Sequence, residues 1–412
     1  MGQHARVIVV GAGIGGLATA LALHERGIEV QVYEAVSDIQ PLGVGINLLP
    51  HAGAVLQGLG VLDGIRAEGV ETAELCFFNR HGQLIWREPR GLAAGYEVPQ
   101  VSVHRGRLQL ALLAAVIDRL GTDAVRTGHR LVAFESHGDG ARVELDDHGT
   151  GHRRTDSADV VVGADGIHST VRAAFHPVEG LPRWSGTVLW RAVSQVEPFL
   201  TGRSMFMAGH RPHKFVAYPI SGVGDDGRCT VNWIAELDRT DVGLAAREDW
   251  NRRGDPADFA PRFADWRFDW LDVPALIAAA QAIYEFPMVD RDPLPTWTHG
   301  RVTLLGDAAH PMYPIGSNGA SQAILDARAL ADALTTHASV DAALAAYDAE
   351  RRPRTAEIVL SNRRHGPERV MDMAEERAPR GFTDVADVFE ADELAGIAAQ
   401  YKQVAGFQVP AS

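Results

Sequence analysis

Three glycines at a fixed spacing, followed further on by an acid, are the first residues of the chain whose types could do chemistry. Gly11, Gly13 and Gly16 spell G-x-G-x-x-G, and Glu34 ends the next apolar run. A pyrophosphate held on a helix N-terminus needs bare backbone amides and room to approach. Gly11 allows the tight turn, Gly13 leaves the backbone bare, and Gly16 lets helix and sheet pack closely. Glu34 lies where a carboxylate would accept hydrogen bonds from an adenosine ribose, so the pattern indicates an ADP-bearing cofactor, FAD or NAD. Two further loops carry polar groups. One is Gly163-Ala164-Asp165-Gly166-Ile167-His168-Ser169; the other is Gly306-Asp307-Ala308-Ala309-His310-Pro311, continuing to Pro314-x-Gly316-x-x-Gly319. Gly316 and Gly319 expose N–H groups at the positive end of the following helix, which suits an anion or a carbonyl acquiring negative charge.

The elements that must position these groups follow from periodicity. Residues 6–10 are a β-branched run, 17–26 an alanine- and leucine-rich helix closed by Gly27, and 29–33 a second strand, together a βαβ unit. Residues 159–164 and 301–305 are continuous apolar runs of the kind buried in a parallel sheet, and ligands collect beyond the carboxyl ends of such strands. Asp165 is therefore placed to meet a ligand, although a simple strand-ending turn, with Ser169 capping a helix from Thr170, explains it too. Residues 75–86 read as a hairpin around Asn79-Arg80-His81-Gly82. Between 182 and 283 the pattern changes to strands at 188–193, 204–208, 214–220 and 229–237, as expected of an antiparallel sheet. Residues 340–360 are helical with an interruption at Pro353, a polar turn-rich tract fills 146–157, and no function is read into the charged, Ala-rich stretch after 360.

Other features have a bland reading beside the functional one. The loop 41–51, with Gly43 and Gly45, either lies against a flat cofactor ring or is a mobile connection. Arg105, at a strand-to-helix junction, faces the cofactor or, by spacing alone, the solvent. Gly222-Val223-Gly224-Asp225-Asp226-Gly227 repeats the glycine pattern but leads into a strand, so it reads as a hairpin loop. His210 and His213 have ligand spacing, yet are expected to face solvent, and no metal site is expected. Trp190, Arg191, Tyr218 and Trp233 form a flat aromatic pocket or simply core packing. Cys76 and Cys229 are too few for a disulfide framework and should be reduced and partly buried. A net charge of -14 argues against nucleic acid and anionic membranes as partners. No signal-like start or apolar span of membrane length is visible, so a cytoplasmic protein is expected.

The three loop motifs, in this order, resemble the single-component flavoprotein aromatic hydroxylases of the para-hydroxybenzoate hydroxylase type. The similarity runs from the first strand to Tyr347-Asp348-Ala349-Glu350-Arg351-Arg352-Pro353. The resemblance implies an α/β fold: a Rossmann-like FAD-binding domain of the glutathione reductase type, an inserted, mostly antiparallel substrate domain, and C-terminal helices. The expected boundaries are 1–72, 98–180 and 284–360 for the first, 73–97 and 181–283 for the second, and 361–412 for a helical tail.

It also implies noncovalent FAD, with NADH or NADPH and O2 as co-substrates, and oxygen transfer through a flavin C4a-hydroperoxide. The cofactor set it implies is Gly11, Gly13, Ile14, Gly15, Gly16, Glu34, Ala35, Gly45, Arg105, Asp165, Gly166, Gly306, Asp307, Gly316, Ser317, Asn318, Gly319 and Ala320. Gly316, Asn318 and Gly319 would serve the redox edge of the ring. His51, Tyr218 and Tyr313 are candidate bases, and Trp190, Arg191, Tyr218, Trp233, Tyr313 and Pro314 candidate substrate contacts, with Arg191 the cation for an anionic substrate.

Within the family, Pro41-Leu42-Gly43-Val44-Gly45-Ile46-Asn47, His104-Arg105-Gly106, residues 287–295 and residues 318–326 are similar to the methylphenazine carboxylate hydroxylases of pyocyanin biosynthesis. Salicylate and 3-hydroxybenzoate hydroxylases share the three main motifs. The expected partner is a small aromatic or N-heteroaromatic carboxylate, acted on by a monomer or homodimer, with or without decarboxylation. The rivals are a flavin oxidase or dehydrogenase that inserts no oxygen, and a non-enzymatic FAD-binding regulator.

Overall fold

The computed structural model describes residues 5–41, 43–241, 252–364 and 366–406. Leu42 of the 41–47 motif, residues 242–251 of the expected substrate domain and residues 407–412 of the expected tail lie outside the described residues.

The buried apolar runs form a six-stranded sheet in the order Thr298–His299, Val302–Leu304, Val160–Gly163, Arg6–Val10, Glu29–Tyr33, Val125–Arg126. Every pair is parallel except the first. Val7, Ile8, Val9, Val160, Val161 and Val162 are wholly buried, and helices Ile14–Glu25, Arg105–Leu120, Gly319–Thr336 and Val340–Asn362 pack into the same core. Because Arg6–Val10, Val160–Gly163 and Val302–Leu304 run the same way, their carboxyl ends share one edge. The three loop motifs leave from that edge, which is why residues so distant in sequence meet.

The second large sheet has seven strands: Ala280–Asp290, Arg183–Val196, Cys229–Asp238, His213–Pro219, Ser204–His210, Glu74–Phe78, Leu84–Pro89. It is antiparallel except where Ser204–His210 pairs with Glu74–Phe78. Side chains alternate along each strand. One face packs Trp190, Ala192, Phe206, Phe215 and Trp233 against Phe259 and Phe263; the other carries Leu189, Met205, Val216, Tyr218 and Ile234. The hairpin loop expected at 222–227 joins His213–Pro219 to Cys229–Asp238, closed by the Gly227 N–H donating to Gly224 O at 3.0 Å.

Three expectations are corrected. The polar tract at 146–157 is not all turn, since Arg153–Ala158 is a strand paired with Ala141–Asp147. Helix Val340–Asn362 runs unbroken through Pro353, because buried residues on both sides of it, Tyr347 and Arg351 before, Ile358 and Val359 after, hold the helix against the core. His213 is not solvent-facing: its ring lies 4.5 Å from Phe263 and 4.7 Å from Trp266, and burial pushes its pKa down to about 4. The stretch after 360 is helical, and it is packed into the fold. Helices Arg369–Arg377 and Ala391–Ala405 follow, and Val370, Met371, Ala374 and Leu394 share a core with Leu75, Phe77 and Met205 of the seven-stranded sheet. Among the described residues no helix is long and apolar enough to cross a membrane, and no cluster of His, Cys, Asp or Glu could hold a metal.

Candidate active site

A cavity of about 300 Å³ lies between the carboxyl edge of the six-stranded sheet and the second face of the seven-stranded one. Of the expected cofactor residues, Gly13, Ile14, Gly15, Gly45, Arg105, Gly166, Gly306, Asp307, Ser317, Asn318, Gly319 and Ala320 line it. Of the expected substrate contacts, Arg191, Tyr218, Tyr313 and Pro314 do.

The glycines divide into two kinds. A Cβ at Gly11 would strike Ala164 O and one at Gly16 would strike Gly11 O, so these two close the turn and do not line the cavity. A Cβ at Gly13 or Gly166 would meet nothing within 4 Å, and one at Gly319 only Asp307 Oδ1 at 3.9 Å. Bare backbone beside open space is what a flat or phosphorylated ligand requires. Helices Ile14–Glu25 and Gly319–Thr336 both begin at this wall, so their positive dipole ends face the cavity. Gly316 lies behind the lining and shapes the turn, with φ of 69° there and 59° at Ser317.

Two acids act behind the lining. Glu34 accepts from the Ala12 N–H at 2.8 Å and the Val36 N–H at 2.9 Å, which ties the end of its strand to the glycine turn; Ala35, beside it, does not reach the cavity. Asp165 Oδ2 accepts from the Thr170 N–H at 2.7 Å, while Oδ1 is buried with no hydrogen-bond partner among the described residues. Burial raises the Asp165 pKa. An orphaned acceptor beside the open Gly166 backbone fits a bound group that brings a donor.

The loop after Val302–Leu304 is fixed by a buried network that the sequence did not announce. Asp326 accepts from Arg351 Nε at 2.7 Å and from the Gly306 N–H at 3.1 Å, and lies 2.6 Å from His310 Nε2. Burial alone would raise the Asp326 pKa, but the His310 and Arg351 charges hold it below the usual carboxylate range.

The opposite wall is made of side chains. Arg191 lies deep in the protein, and the part of it left exposed faces the cavity. Its Nη2 donates to Gly45 O at 3.1 Å and its Nε has no partner among the described residues. Burial lowers its pKa from the ordinary value, partly offset by Tyr218. Tyr218 is buried beside Arg191 and Asn232, and burial pushes it up to about 12. A phenol raised in this way is neutral near pH 7 and able to donate a hydrogen bond. Asn232 Oδ1 accepts from the Gly45 N–H at 2.7 Å. That bond, with the strand Gly45–Leu48 paired to Gln100–His104, resolves the 41–51 alternatives: the part from Gly45 is a strand docked on the seven-stranded sheet.

Of the candidate bases and substrate contacts, three are not in the cavity. His51 is half-buried beside Gln322, with desolvation pushing its pKa down to about 4, so it is neutral near pH 7, and it does not line the cavity. Trp190 and Trp233 are 1% and 0% exposed and lie on the far face, where their N–H groups donate to Glu285 at 3.2 Å and Ser194 at 2.9 Å. The reason is the period of a strand: a residue next to Arg191 points the other way. Conversely, the cavity is also lined by Met205, Met207, Val216, Glu236 and Glu368, none of which the sequence motifs mark. Lys214 pairs with both Glu236, at 2.9 Å, and Glu368. The available signal is an ionisable residue at an inward position of each of two apolar strands.

A parallel sheet with glycine turns at its carboxyl edge, open backbone at Gly13, Gly166 and Gly319, and a second sheet closing a shared cavity define an FAD-binding enzyme. The chain belongs to the family described as FAD binding domain, whose sequence model matches residues 4–361. It is an FAD-dependent hydroxylating monooxygenase, a class that draws electrons from NAD(P)H and an oxygen atom from O2.

It is 46% identical over 404 residues to phenazine 1,6-dicarboxylic acid hydroxylase PhzS of Lysobacter antibioticus, covering 97% of this chain and 96% of that one. It is 34% identical to 3-amino-4-hydroxybenzoate 2-monooxygenase of Streptomyces cremeus, over 87% and 86% of the two chains. The crystal structure of Klebsiella pneumoniae HpxO complexed with FAD and uric acid superposes with a TM-score of 0.74 at 25% identity, over 98% and 93%. The expected likeness to methylphenazine carboxylate hydroxylases is thus supported at the level of the family, and the 46% relative bears a different substrate name.

Proposed function

We propose that this chain hydroxylates an aromatic or N-heteroaromatic carboxylate, a phenazine-type acid, at the expense of NAD(P)H and O2. The observation that carries the reading is Arg191. A guanidinium deep in the protein, turned to the cavity and with Nε unpartnered, is a receptor for a carboxylate. The division of labour we propose follows the two sheets, with the cofactor held at the six-stranded edge and the ring to be oxidised held by residues 73–97 and 181–283. Gly13 to Gly15 and Arg105 would take the pyrophosphate, Glu34 the adenosine ribose, and Asp307 the ribityl hydroxyls. The helix end at Asn318, Gly319 and Ala320 would take the negative N1–C2 edge of the reduced ring. One preorganised donor of that kind contributes about 3 kcal/mol in other enzymes.

Bound FAD would supply hydride acceptance and oxygen activation. The chain's own part is to hold the acid by Arg191, donate a hydrogen bond from neutral Tyr218, and keep water out with Met205, Met207, Val216 and Ile234. A second reading, an amino- or hydroxybenzoate, has support of its own in Glu236 and Glu368, whose carboxylates line the cavity and can accept from a ring amine or hydroxyl. The 34% relative is named for such a substrate.

Anaerobic stopped-flow reduction of the FAD-loaded protein by NADH, with phenazine, salicylate and hydroxybenzoate carboxylates in turn, tests the reading. One acid should accelerate reduction strongly and be recovered oxygenated when air is admitted. Product analysis then tells loss of a proton from loss of carbon dioxide. Flavin that no aromatic acid helps to reduce would transfer the assignment to an oxidase, a dehydrogenase or a binding protein.

A further inference from the structure

Three cavities stand in series between the protein surface and the Arg191 wall. The inner one is the site above, and a middle one of about 140 Å³ shares Glu236, Tyr313 and Glu368 with it. An outer bowl of about 500 Å³ shares Arg211, Arg363 and Asp372 with the middle one. Helix Arg369–Arg377, beyond the part of the chain that the family model matches, supplies Met371 and Asp372 to the middle cavity and Met373, Glu375 and Glu376 to the bowl.

The composition of this path suits a planar acid. Arg211, Arg364 and Arg369 are exposed at its mouth, interleaved with Asp372, Glu375 and Glu376. These three arginines balance the three acids, so on a chain of net charge -14 this opening does not repel an acid, and Arg211 offers it a partner. Further in, Trp184, Met288 and Met371 offer flat and adaptable apolar surface. At the inner end Lys214 pairs with Glu368 and, at 2.9 Å, with Glu236. Since Lys214 holds two carboxylates, Glu368 can move aside while the buried ammonium keeps a partner. The other side of the inner cavity is the glycine wall that would hold FAD, so an acid arriving after the cofactor would need a separate way in.

We propose that the middle cavity is the access vestibule for the aromatic acid, captured at Arg211 and admitted past the Lys214–Glu368 pair. This rests on the functional reading above, in that the ligand is an aromatic acid. Helix Arg369–Arg377 is then a wall of the substrate route.

The test uses the FAD-loaded full chain, with phenazine-1-carboxylate and its uncharged carboxamide as probes. Association is read from the perturbation of flavin absorbance in stopped flow, without turnover. Arg211→Ala should slow association of the carboxylate by about threefold to tenfold at low salt, converging with the parent protein at high salt, and should leave the carboxamide unchanged. Met371→Trp fills the vestibule and should slow both probes, with FAD content retained. Steady-state turnover of the acid should show the loss in kcat/KM, with kcat within about twofold.

Parent-like association rates in both variants would overturn the vestibule, as would an Arg211→Ala effect equal for the charged and uncharged probes. Failure of the carboxylate to bind the parent protein would overturn the functional reading and the vestibule together, whereas a weaker affinity of the carboxamide follows from Arg191 and leaves its association rate as the readout. Binding without oxygenation would sink the functional reading alone, because the association rates are measured regardless.

Discussion

Along the carboxyl edge of the six-stranded sheet the cavity wall is backbone: glycines at 13, 166, 306 and 319 and the first turns of two helices. Across from it, on the seven-stranded sheet, the wall is side chain: Arg191, Tyr218, Val216, Ile234 and Glu236, projecting from alternate positions of three strands. Backbone donors are rigid and blind to residue type except where a Cβ intrudes, so the first wall suits a cofactor common to a family. Side chains can be exchanged without disturbing the strands that carry them, so the second wall suits a substrate that differs between relatives.

The largest effect that would break this comparison belongs to Gly16. Its Cβ would collide with Gly11 O, so Gly16→Val should prevent the turn from closing and yield colourless or insoluble protein. Gly13→Ala is the control, because a Cβ at Gly13 meets no protein atom within 4 Å. That variant should keep its melting temperature as apoprotein and lose affinity for FAD by about tenfold or more, since the methyl enters the ligand's space. If Gly13→Ala binds FAD normally, the backbone wall is not the cradle.

Next in size is Lys214→Met, which leaves the buried Glu236 and Glu368 without their cation. Breaking a buried pair by removing one partner costs about 3–5 kcal/mol, to be measured by urea unfolding of the holoprotein. The two carboxyls would then have raised folded-state pKa values, so the variant should recover stability as the pH falls. A loss that does not vary with pH would mean that Lys214 acts by packing alone.

The two walls also differ in how legible they are in the sequence. Glycine, aspartate and strand order announce a backbone site, because only Gly tolerates the close approaches at Gly11 and Gly16, and parallel strands bring all such turns to one edge. For the same reason the second glycine motif at 222–227 is no cofactor turn: a strand follows it where a helix N-terminus is needed. The substrate wall carries no such mark. Trp190 and Arg191 cannot line one pocket, because neighbours in a strand face opposite ways, and the alternation of the strand alone is enough to separate them. Which face meets the cavity depends on the pairing of Arg191 with Ile234 and of Tyr218 with Asn232, and register is a long-range property. Glu368 is beyond the reach of sequence patterns, since its role comes from Lys214, 154 residues away.

Arg191→Gln tests the side-chain wall directly. A charge-assisted hydrogen bond to a carboxylate contributes about 2–3 kcal/mol, so kcat/KM for the acid should fall by about 30- to 150-fold while FAD content is retained. A variant that loses FAD in proportion would place Arg191 in the cofactor wall and dissolve the distinction between the two.

The smallest effect belongs to Tyr218. Burial raises its pKa to about 12 from the ordinary 10.0, so the phenol keeps its proton throughout the working range. For a group raised in the folded state, the stabilising contribution is complete below the unfolded pKa and is lost as the pH climbs through the folded one. Tyr218 should therefore impose no ionisation on kcat/KM between about pH 6 and 9, and Tyr218→Phe should lower activity by about tenfold through the lost donor without changing the shape of the profile. A pH-dependent limb that disappears in the phenylalanine variant would show instead that Tyr218 ionises in turnover, and that the side-chain wall takes a proton from the substrate as well as holding it.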